Sequence, residues 1–561
     1  MVALQQQETL LHRFQHWSRK TPDRCYMTQP MPDGQTVEIS WSEAWDQACR
    51  FAAWLKSQNL PAGSSIGLLG RNSAHWILAD VGIWLAGHVT VPLYPTLDVQ
   101  SARYVIEHSD IRLMVLGKLD GRNDNWYQLE QALPDELPRV GLPLSPPMEC
   151  LQWEALLQAQ APLIDPVLPA LDQLATIVYT SGSTGLPKGV MHSFGSMMAG
   201  NQSIGKCFNF SSEDRMLSYL PLAHVAERAF LEASSLCFGI SVFFAHDLGT
   251  FQADLKRARP TIFFSVPRLW VKFYMGVQTK LPLRLQRLLF SFGWLTGRVK
   301  RMILQELGLD AVRVAFTGSA PLSMEIIQWY RQLGLELLDV YGMSENFGTS
   351  HISRPAAMRV GYVGSPAPGV ECRLSEDGEV LVRSPGQMMG YYKSTLSPAE
   401  TMSEDGYFRT GDLGELDDQG RLRITGRTKD LFKTAKGKYV APVPIEQQLT
   451  AHALIEDCCV CGAGMPQPIA LIVLAEGVRT EASNKQTRAA LELELKTLLA
   501  NVNKGLSREV ALHCVVVMRE AWTVESGLLT PTMKIKRHAI EQAFAEHADR
   551  WSRMDGGVLW Q

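Results

Sequence analysis

The sequence predicts an α/β protein whose last quarter is a small α+β region. Three observations carry this. Helical and strand patterns alternate through the first 115 residues. From residue 174, three apolar runs each end in a Gly-rich or polar turn. After residue 427, short strands alternate with helical segments. Such alternation builds sheets covered by helices.

"SEAWDQACRFAAWLKSQ" (42–58) repeats apolar residues at helical spacing behind a Ser cap. "SSIGLLG" then reads as a buried strand. "HWILADVGIWLAGHVTVPLY" reads as a helix, a Gly stop and another strand. Residues 120–170 are rich in Pro and polar residues with weak periodicity, and read as a peripheral excursion. Next, "LATIVYT" leads into "SGSTG", "VRVAF" into "TGSAP", and "LELLDV" into "YGMSEN". Loops at the carboxyl ends of strands build the ligand site in open α/β sheets, so these three are expected to converge on one crevice. Beyond 370, "GEVLVRS" and "GELDDQGRLRITGR" with their Gly/Asp turns read as short antiparallel strands. A linker at 425–430 divides the chain into domains 1–426 and 427–561.

The bulk numbers narrow the class. Apolar residues make up 46% and charged residues 20% of the 561 positions, as in ordinary soluble proteins. A net charge of −3 leaves no general nucleic-acid footprint. The ten cysteines are sparse, and the cluster Cys458, Cys459 and Cys461 sits in an alternating apolar run with poor spacing for zinc. These read as buried strand thiols in a reducing cytoplasm. The opening "MVALQQQETLLHRF" lacks the apolar stretch of a signal peptide, and no segment reaches the ~18 uninterrupted apolar residues of a spanning helix.

Residues 179–193, "YTSGSTGLPKGVMHS", crowd three Gly, three Ser and two Thr around one cation. Small residues let backbone N–H groups approach an anion, and hydroxyls add donors. The spacing is not that of a Walker A loop, because Lys188 follows Pro187 and precedes Gly189. On its own the stretch is either a phosphate holder or a flexible turn.

Its companions decide between these. "YTSGSTGLPKGV" resembles the phosphate loop of the adenylate-forming superfamily, and "FTGSAPL" (316–322), "YGMSE" (341–345), "YFRTGD" (407–412), "GRTKD" (426–430) and "TPTMKIKR" (530–537) follow in that superfamily's order. The resemblance implies a large N-terminal domain of two layered sheets plus a β-barrel-like part, with a small mobile C-terminal domain. It also implies roles residue by residue. Thr180, Ser181, Gly182, Ser183, Thr184, Gly185 and Lys188 would hold the ATP phosphates. Gly318, Ser319, Ala320, Tyr341, Gly342 and Ser344 would wall the adenine pocket. Asp412 would bind the ribose, and Arg427 would contact the nucleotide. Glu345 and Thr184 would hold Mg²⁺, a hard cation that prefers oxygen ligands. Lys429 would be the hinge, and Lys534 would bridge the substrate carboxylate and the α-phosphate. Two departures stand out: Ser344 replaces a Thr, and Met533 replaces a Gly common in the superfamily. Without the resemblance, Asp412 reads as a turn-capping residue and Arg427 and Lys429 as solvated linker charges.

Three further stretches resemble the long-chain fatty acyl-CoA synthetase branch. "SYLPLAHVAER" (218–228) would set His224 near the reacting carboxylate. "FSVPRLWVKFY" (264–274) would make Trp270 an acyl gate. "FKTAKGKYVAP" (432–442) would set Gly437 beside the coenzyme A channel. The implied reaction uses ATP, Mg²⁺ and coenzyme A to convert a fatty acid to acyl-CoA through an acyl adenylate. Transfer to an acyl carrier protein, or a non-catalytic nucleotide or fatty-acid binding module, are the alternatives. Residues 271–302 hold seven cations and no Asp or Glu among Leu, Phe, Trp and Met. They read as either a solvated basic helix pair or a peripheral contact with an anionic membrane. Nothing in the sequence sets oligomeric state or acyl chain length.

Overall fold

A computed structural model of the protein describes residues 8–119, 126–180, 186–318, 322–482, 484–524, 526–530 and 533–561. Local chemistry sets the first helices. Ser40 Oγ accepts from Glu43 N at 3.3 Å, and Glu43 Oε2 accepts from Ser40 N at 2.7 Å, closing a reciprocal cap on helix Trp41–Ser57. Its Trp41, Ala44, Ala48, Phe51 and Leu55 face inward at helical spacing. Helix Ala74–Leu85 is buried on nearly every side, because it packs both on that helix and on the sheet beneath.

The largest sheet runs in the order Gly390–Tyr391, Lys188–Ser193, Leu174–Thr180, Val89–Leu93, Ser65–Leu69, Leu113–Leu116, Arg139–Gly141, Leu151–Gln152. Its central strands are parallel and buried on both faces, which accounts for their uninterrupted apolar runs. The last two strands correct the expectation for 120–170. This stretch extends the sheet edge in parallel and anchors it with buried Trp126 and Trp153. Strands of two or three residues are too short to show a period.

A second sheet holds Ile262–Ser265, Val314–Gly318 and Leu337–Tyr341 in parallel, followed by two short antiparallel strands. A third holds Arg215–Ser218, Ser241–Phe244, Cys25–Pro30 and Thr36–Ser40, and Thr261 N donates to Arg215 O at 3.0 Å between the two. The strands expected beyond 370 form an antiparallel sheet of Glu371–Leu374, Glu379–Arg383, Phe408–Leu416 and Leu422–Arg427. Register shifts at Glu379/Leu381 and Leu413/Gly414 bend it.

The C-terminal sheet joins Ile455–Cys461, Ile469–Leu474, Cys514–Val517 and Gly557–Trp560. Leu449, Leu495 and Leu499 cover one face; Ile540, Ala548 and Trp551 cover the other. Cys458, Cys459 and Cys461 are buried here, and burial pushes the Cys461 thiol up to about 12. Arg268, at the start of helix Pro267–Lys280, forms an ion pair with Glu456 of this sheet.

One charged cluster lies in the core. Arg228 Nη2 meets Asp80 Oδ2 at 2.6 Å and Arg228 Nε lies 3.7 Å from Glu232 Oε2, with all three side chains fully buried. The guanidinium lies over the rings of Trp76 and Trp84, at 5.3 and 5.6 Å. Burial and the neighbouring Asp80 hold the Glu232 carboxyl well above the usual carboxylate range, against the pull of Arg228. Arg228 thus meets Asp80 at contact distance, while Glu232 stands farther off. Arg228→Met strands the Asp80 charge and is expected to cost about 3–5 kcal/mol in urea unfolding followed by Trp fluorescence. Adding Asp80→Asn should recover part of that loss; a single-variant cost below about 1 kcal/mol contradicts the pairing.

Candidate active site

Three strand ends meet above the two parallel sheets. Gly318 closes Val314–Gly318, Tyr341 closes Leu337–Tyr341, and Thr180 closes Leu174–Thr180, where it pairs with Lys188 across the loop. A side chain at Gly342 would collide with the Gly348 carbonyl, so the turn after Tyr341 requires glycine. Ser181 to Gly185, Ser319 and Ala320 lie outside the described residues, so the structure gives no account of these expected phosphate and adenine contacts.

Asp412 sits at the centre. It is buried and engaged on both oxygens: Tyr341 Oη donates to Oδ2 at 2.6 Å, and Arg427 Nε donates to Oδ1 at 2.8 Å. Strand register places Asp412 directly opposite Arg427. Burial and the Asp412 charge push the Tyr341 phenol well up, so it stays a donor.

A second group forms on the other side of the crevice. Lys188 Nζ lies 5.2 Å from the centre of the Tyr391 ring, and Tyr391 Oη donates to Glu345 Oε1 at 2.6 Å. The ring is set by the pairing of Gly390–Tyr391 with Met191 and Val190. Beneath it, fully buried His192 donates from Nε2 to Ser344 O at 2.6 Å, pinning the turn that carries Ser344 and Glu345. Burial lowers the His192 pKa to about 4, so the ring is neutral. Sequence reasoning missed both Tyr391 and His192. The only signal for either was the position of His192 in the loop's tail.

His224 caps the short helix Val225–Glu227 and accepts from Ala226 N through Nδ1 at 3.1 Å, leaving its proton on Nε2. Burial and then the Lys534 charge lower its pKa to about 3. The preceding residues are held from behind. Asn72 Oδ1 accepts from Leu222 N at 3.0 Å, and Glu227 Oε1 accepts from Tyr219 N at 3.0 Å and Ser218 Oγ at 2.9 Å. Burial raises the Glu227 carboxyl to about 8. After Glu227 the chain takes a π-helical stretch, Arg228–Ala233, a form frequent beside functional sites. A small cavity lies between this stretch and the strands at 215 and 262, walled by Met216, Leu217, Phe230, Ile262 and Phe264 together with Glu227.

Lys534 comes from the far end of the chain to the same crevice. Surrounding protein and the Arg427 charge lower its pKa, and Asp412 opposes them. Its hairpin is closed by the Leu529/Ile535 bridge and by Lys534 N donating to Thr530 Oγ1 at 3.0 Å. Met533 has φ 62°, the left-handed region that favours Gly. That backbone gives a physical reason for the Gly that Met533 replaces.

Residues 14–392 match the AMP-binding enzyme family, and residues 429–551 match the AMP-binding enzyme C-terminal domain. The chain belongs to the AMP-binding enzyme family. Among its relatives, the peroxisomal long chain acyl-CoA synthetase 6 of Arabidopsis thaliana is 30% identical, over 96% of this chain and 85% of that protein. The long-chain-fatty-acid–CoA ligase FadD15 of Mycobacterium tuberculosis is 29% identical over 95% of each. The adenylation domain of the Segniliparus rugosus carboxylic acid reductase, solved with AMP and a co-purified carboxylic acid, superposes with a TM-score of 0.79 at 21% identity, over 97% of this chain and 94% of that one. The o-succinylbenzoate coenzyme A synthetase of Bacillus subtilis, solved with ATP and magnesium, gives 0.71 at 20% identity over 95% and 99%. Both likenesses carry the fold alone.

Trp270, Lys429 and Gly437 of this AMP-binding chain occupy three further places in the fold. Trp270 is fully buried in the core, edge-on to Phe263 and Tyr330 with centroids 5.4 and 5.0 Å away. Exposed Lys429 follows Arg427 in a single 3₁₀ turn. Gly437 turns the hairpin between Phe432–Lys433 and Tyr439–Val440 with φ 78°. Among the described residues, no three His, Cys, Asp or Glu side chains form a metal cage.

Asp339, two residues before Tyr341, also escaped sequence reasoning. It is buried, its carboxyl has no hydrogen-bond partner among the described residues, and burial raises it to about 7. The unfolded pKa is 3.8. Between these values the folded state binds one more proton than the unfolded state, so stability falls as pH rises, by up to about 1.4 kcal/mol per pH unit. Asp339→Asn removes that dependence. Its melting temperature relative to wild type should therefore rise from pH 5 to pH 7. Parallel melting curves at the two pH values contradict a protonated Asp339.

Proposed function

We propose that the protein is an AMP-forming long-chain fatty acid–CoA ligase. The observation that carries this reading is the meeting of Asp412, Tyr341, Arg427, His224 and Lys534 at one crevice in a chain of this family. Residues 1–426 form the ATP- and acyl-binding domain, and 427–561 form a mobile domain that carries Lys534 and turns about Lys429.

A carboxylate is a poor electrophile, because its carbon already shares negative charge. Its oxygen attacks the α-phosphorus of ATP, the bond to pyrophosphate breaks, and an acyl adenylate remains. The coenzyme A thiolate then attacks the acyl carbon, and the bond to AMP breaks. Two anions must meet in the first step. Lys534 lies between the carboxylate and the α-phosphate and offsets their repulsion as charge concentrates there. His224 stays neutral and donates from Nε2 to the carboxylate, which orients it without adding a titrating charge near neutral pH.

Asp412 exchanges its two present donors for the ribose hydroxyls, and Arg427 turns to the nucleotide. Tyr341 and Gly318 face the adenine. Lys188 and the loop 180–185 hold the leaving pyrophosphate. Magnesium suits this donor set, since it binds through one or two carboxylates and substrate phosphates rather than an all-protein cage. Glu345, with Thr184, would hold it, and it would supply further charge neutralisation at the phosphates. The acyl chain would enter beside Phe230 and Phe264, with Trp270 on the helix that follows strand Ile262–Ser265 as its gate and Gly437 bordering the thiol path. The place of action is the cytoplasm, with a membrane supplying the acid.

Pyrophosphate release screened over C2 to C20 acids, with and without coenzyme A, tests the activity. Release should peak with long acids, and acyl-CoA should accumulate only with the thiol present. Release with amino or aromatic acids alone sinks the reading. Lys534→Ala should slow adenylate formation by about a hundredfold or more, while the variant still converts supplied acyl-AMP and coenzyme A to acyl-CoA. Unimpaired adenylate formation would remove Lys534 from the chemistry.

A further inference from the structure

His224 stands at the end of an irregular segment that leaves strand Arg215–Ser218 and runs through Pro221 to the short helix Val225–Glu227. Backbone groups in such a segment have no ladder to join, so each needs another partner. Three of them find two side chains. Tyr219 N donates to Glu227 Oε1 at 3.0 Å, Leu222 N donates to Asn72 Oδ1 at 3.0 Å, and Asn72 Nδ2 donates to Leu220 O at 2.5 Å.

The two side chains are also joined to each other. Asn72 Nδ2 lies 3.2 Å from Glu227 Oε1 and donates to Ser218 Oγ at 2.8 Å, while Ser218 Oγ donates to Glu227 Oε1 at 2.9 Å. Asn72, Ser218 and Glu227 are all buried. Ser218 precedes His224 and Glu227 follows it, so the bond between them closes the chain into a ring around His224. Asn72 fixes that ring from outside. It lies between strand Ser65–Leu69 of the largest sheet and helix Ala74–Leu85, beside the Ser73 cap. One asparagine thus ties the His224 segment to the largest sheet. Tyr219 Oη adds a tie to the second sheet by donating to Phe264 O at 2.9 Å.

The donors on Glu227 are uncharged, and among the described residues no cation pairs with it. A buried carboxyl is costly unless its bonds are made, and here one oxygen accepts all three. Neither Asn72 nor Glu227 bonds to the Asp412, Tyr341 and Arg427 cluster. The clamp therefore bears on the His224 end of the crevice. We propose that Asn72 and Glu227 are positioning residues that hold His224 Nε2 where it meets the substrate carboxylate. Misplacing such a group by about 1 Å costs about a hundredfold in rate. The catalytic role rests on the ligase reading; the clamp itself does not.

A double-mutant cycle on fatty acid adenylation, followed by pyrophosphate release, tests this. Asn72→Ala and Glu227→Met should each lower kcat/KM for the acid about a hundredfold, with AMP affinity unchanged. Glu227→Gln, which keeps the accepting oxygen, should retain most of the rate. Ser218→Ala is the mildest truncation, and it should show the same split with about a tenfold loss even if the other two fail to fold. In a His224→Ala background, Ser218→Ala or Glu227→Met should add little further loss, because the positioned group is gone. Amide exchange gives a readout without turnover: Tyr219 N and Leu222 N should both exchange about tenfold faster or more in Asn72→Ala and in Glu227→Met. Losses that multiply fully with His224→Ala, AMP affinity that falls with the rate, or unchanged exchange at the two amides overturns the proposal. If wild type releases no pyrophosphate with any acid, the ligase reading fails and the exchange rates alone decide the clamp.

Discussion

The crevice depends on one carboxylate being claimed from two sides. Asp412 belongs to the bent antiparallel sheet, Tyr341 to the end of a parallel strand, and Arg427 to the end of strand Leu422–Arg427, where the C-terminal domain begins. A buried anion with a single donor would be costly, and with charge-assisted bonds on both oxygens it becomes a fixed joint. That joint ties the parallel sheet to the antiparallel one and holds the start of the linker in place. In the proposed reading, ribose hydroxyls would supply the same O–H donors that Tyr341 now gives to Asp412.

Burial sets the charge states of several groups around this joint. His192 and His224 are held neutral by burial, burial raises the Glu227 and Glu232 carboxyls, and Asp80 is matched by Arg228. Lys534 brings a further positive charge to the crevice, on a hairpin late in the chain. A second tether, Arg268 to Glu456, links the helix beside the apolar cavity to the sheet of that same C-terminal region. Helix Pro267–Lys280 and the Asp412 cluster are therefore both joined to the C-terminal domain, one through Glu456 and the other through Arg427.

Much of this was legible in the sequence, for physical reasons that differ by element. The parallel strands read clearly because burial on both faces forces continuous apolar runs. Asp412, Arg427 and Lys534 were legible only because their flanking motifs occur in a set order, since each alone is an ordinary turn or surface residue. Tyr391 and His192 were not legible: one acts through a two-residue strand paired with a distant hairpin, and the other through a backbone carbonyl 152 residues away. Asp339 was hidden because an acid in a strand signals nothing until its burial is known. The edge strands near 140 and 151 failed for want of length.

The most direct measurement is a calorimetric titration of the full chain with AMP and with 2′,3′-dideoxy-AMP. If Asp412 exchanges Tyr341 and Arg427 for the ribose, wild type should prefer AMP by roughly a hundredfold or more. Asp412→Asn should lose most of that preference while keeping its fold. Equal binding of the two nucleotides by wild type, or an undiminished preference in the variant, would contradict the role given to this carboxylate.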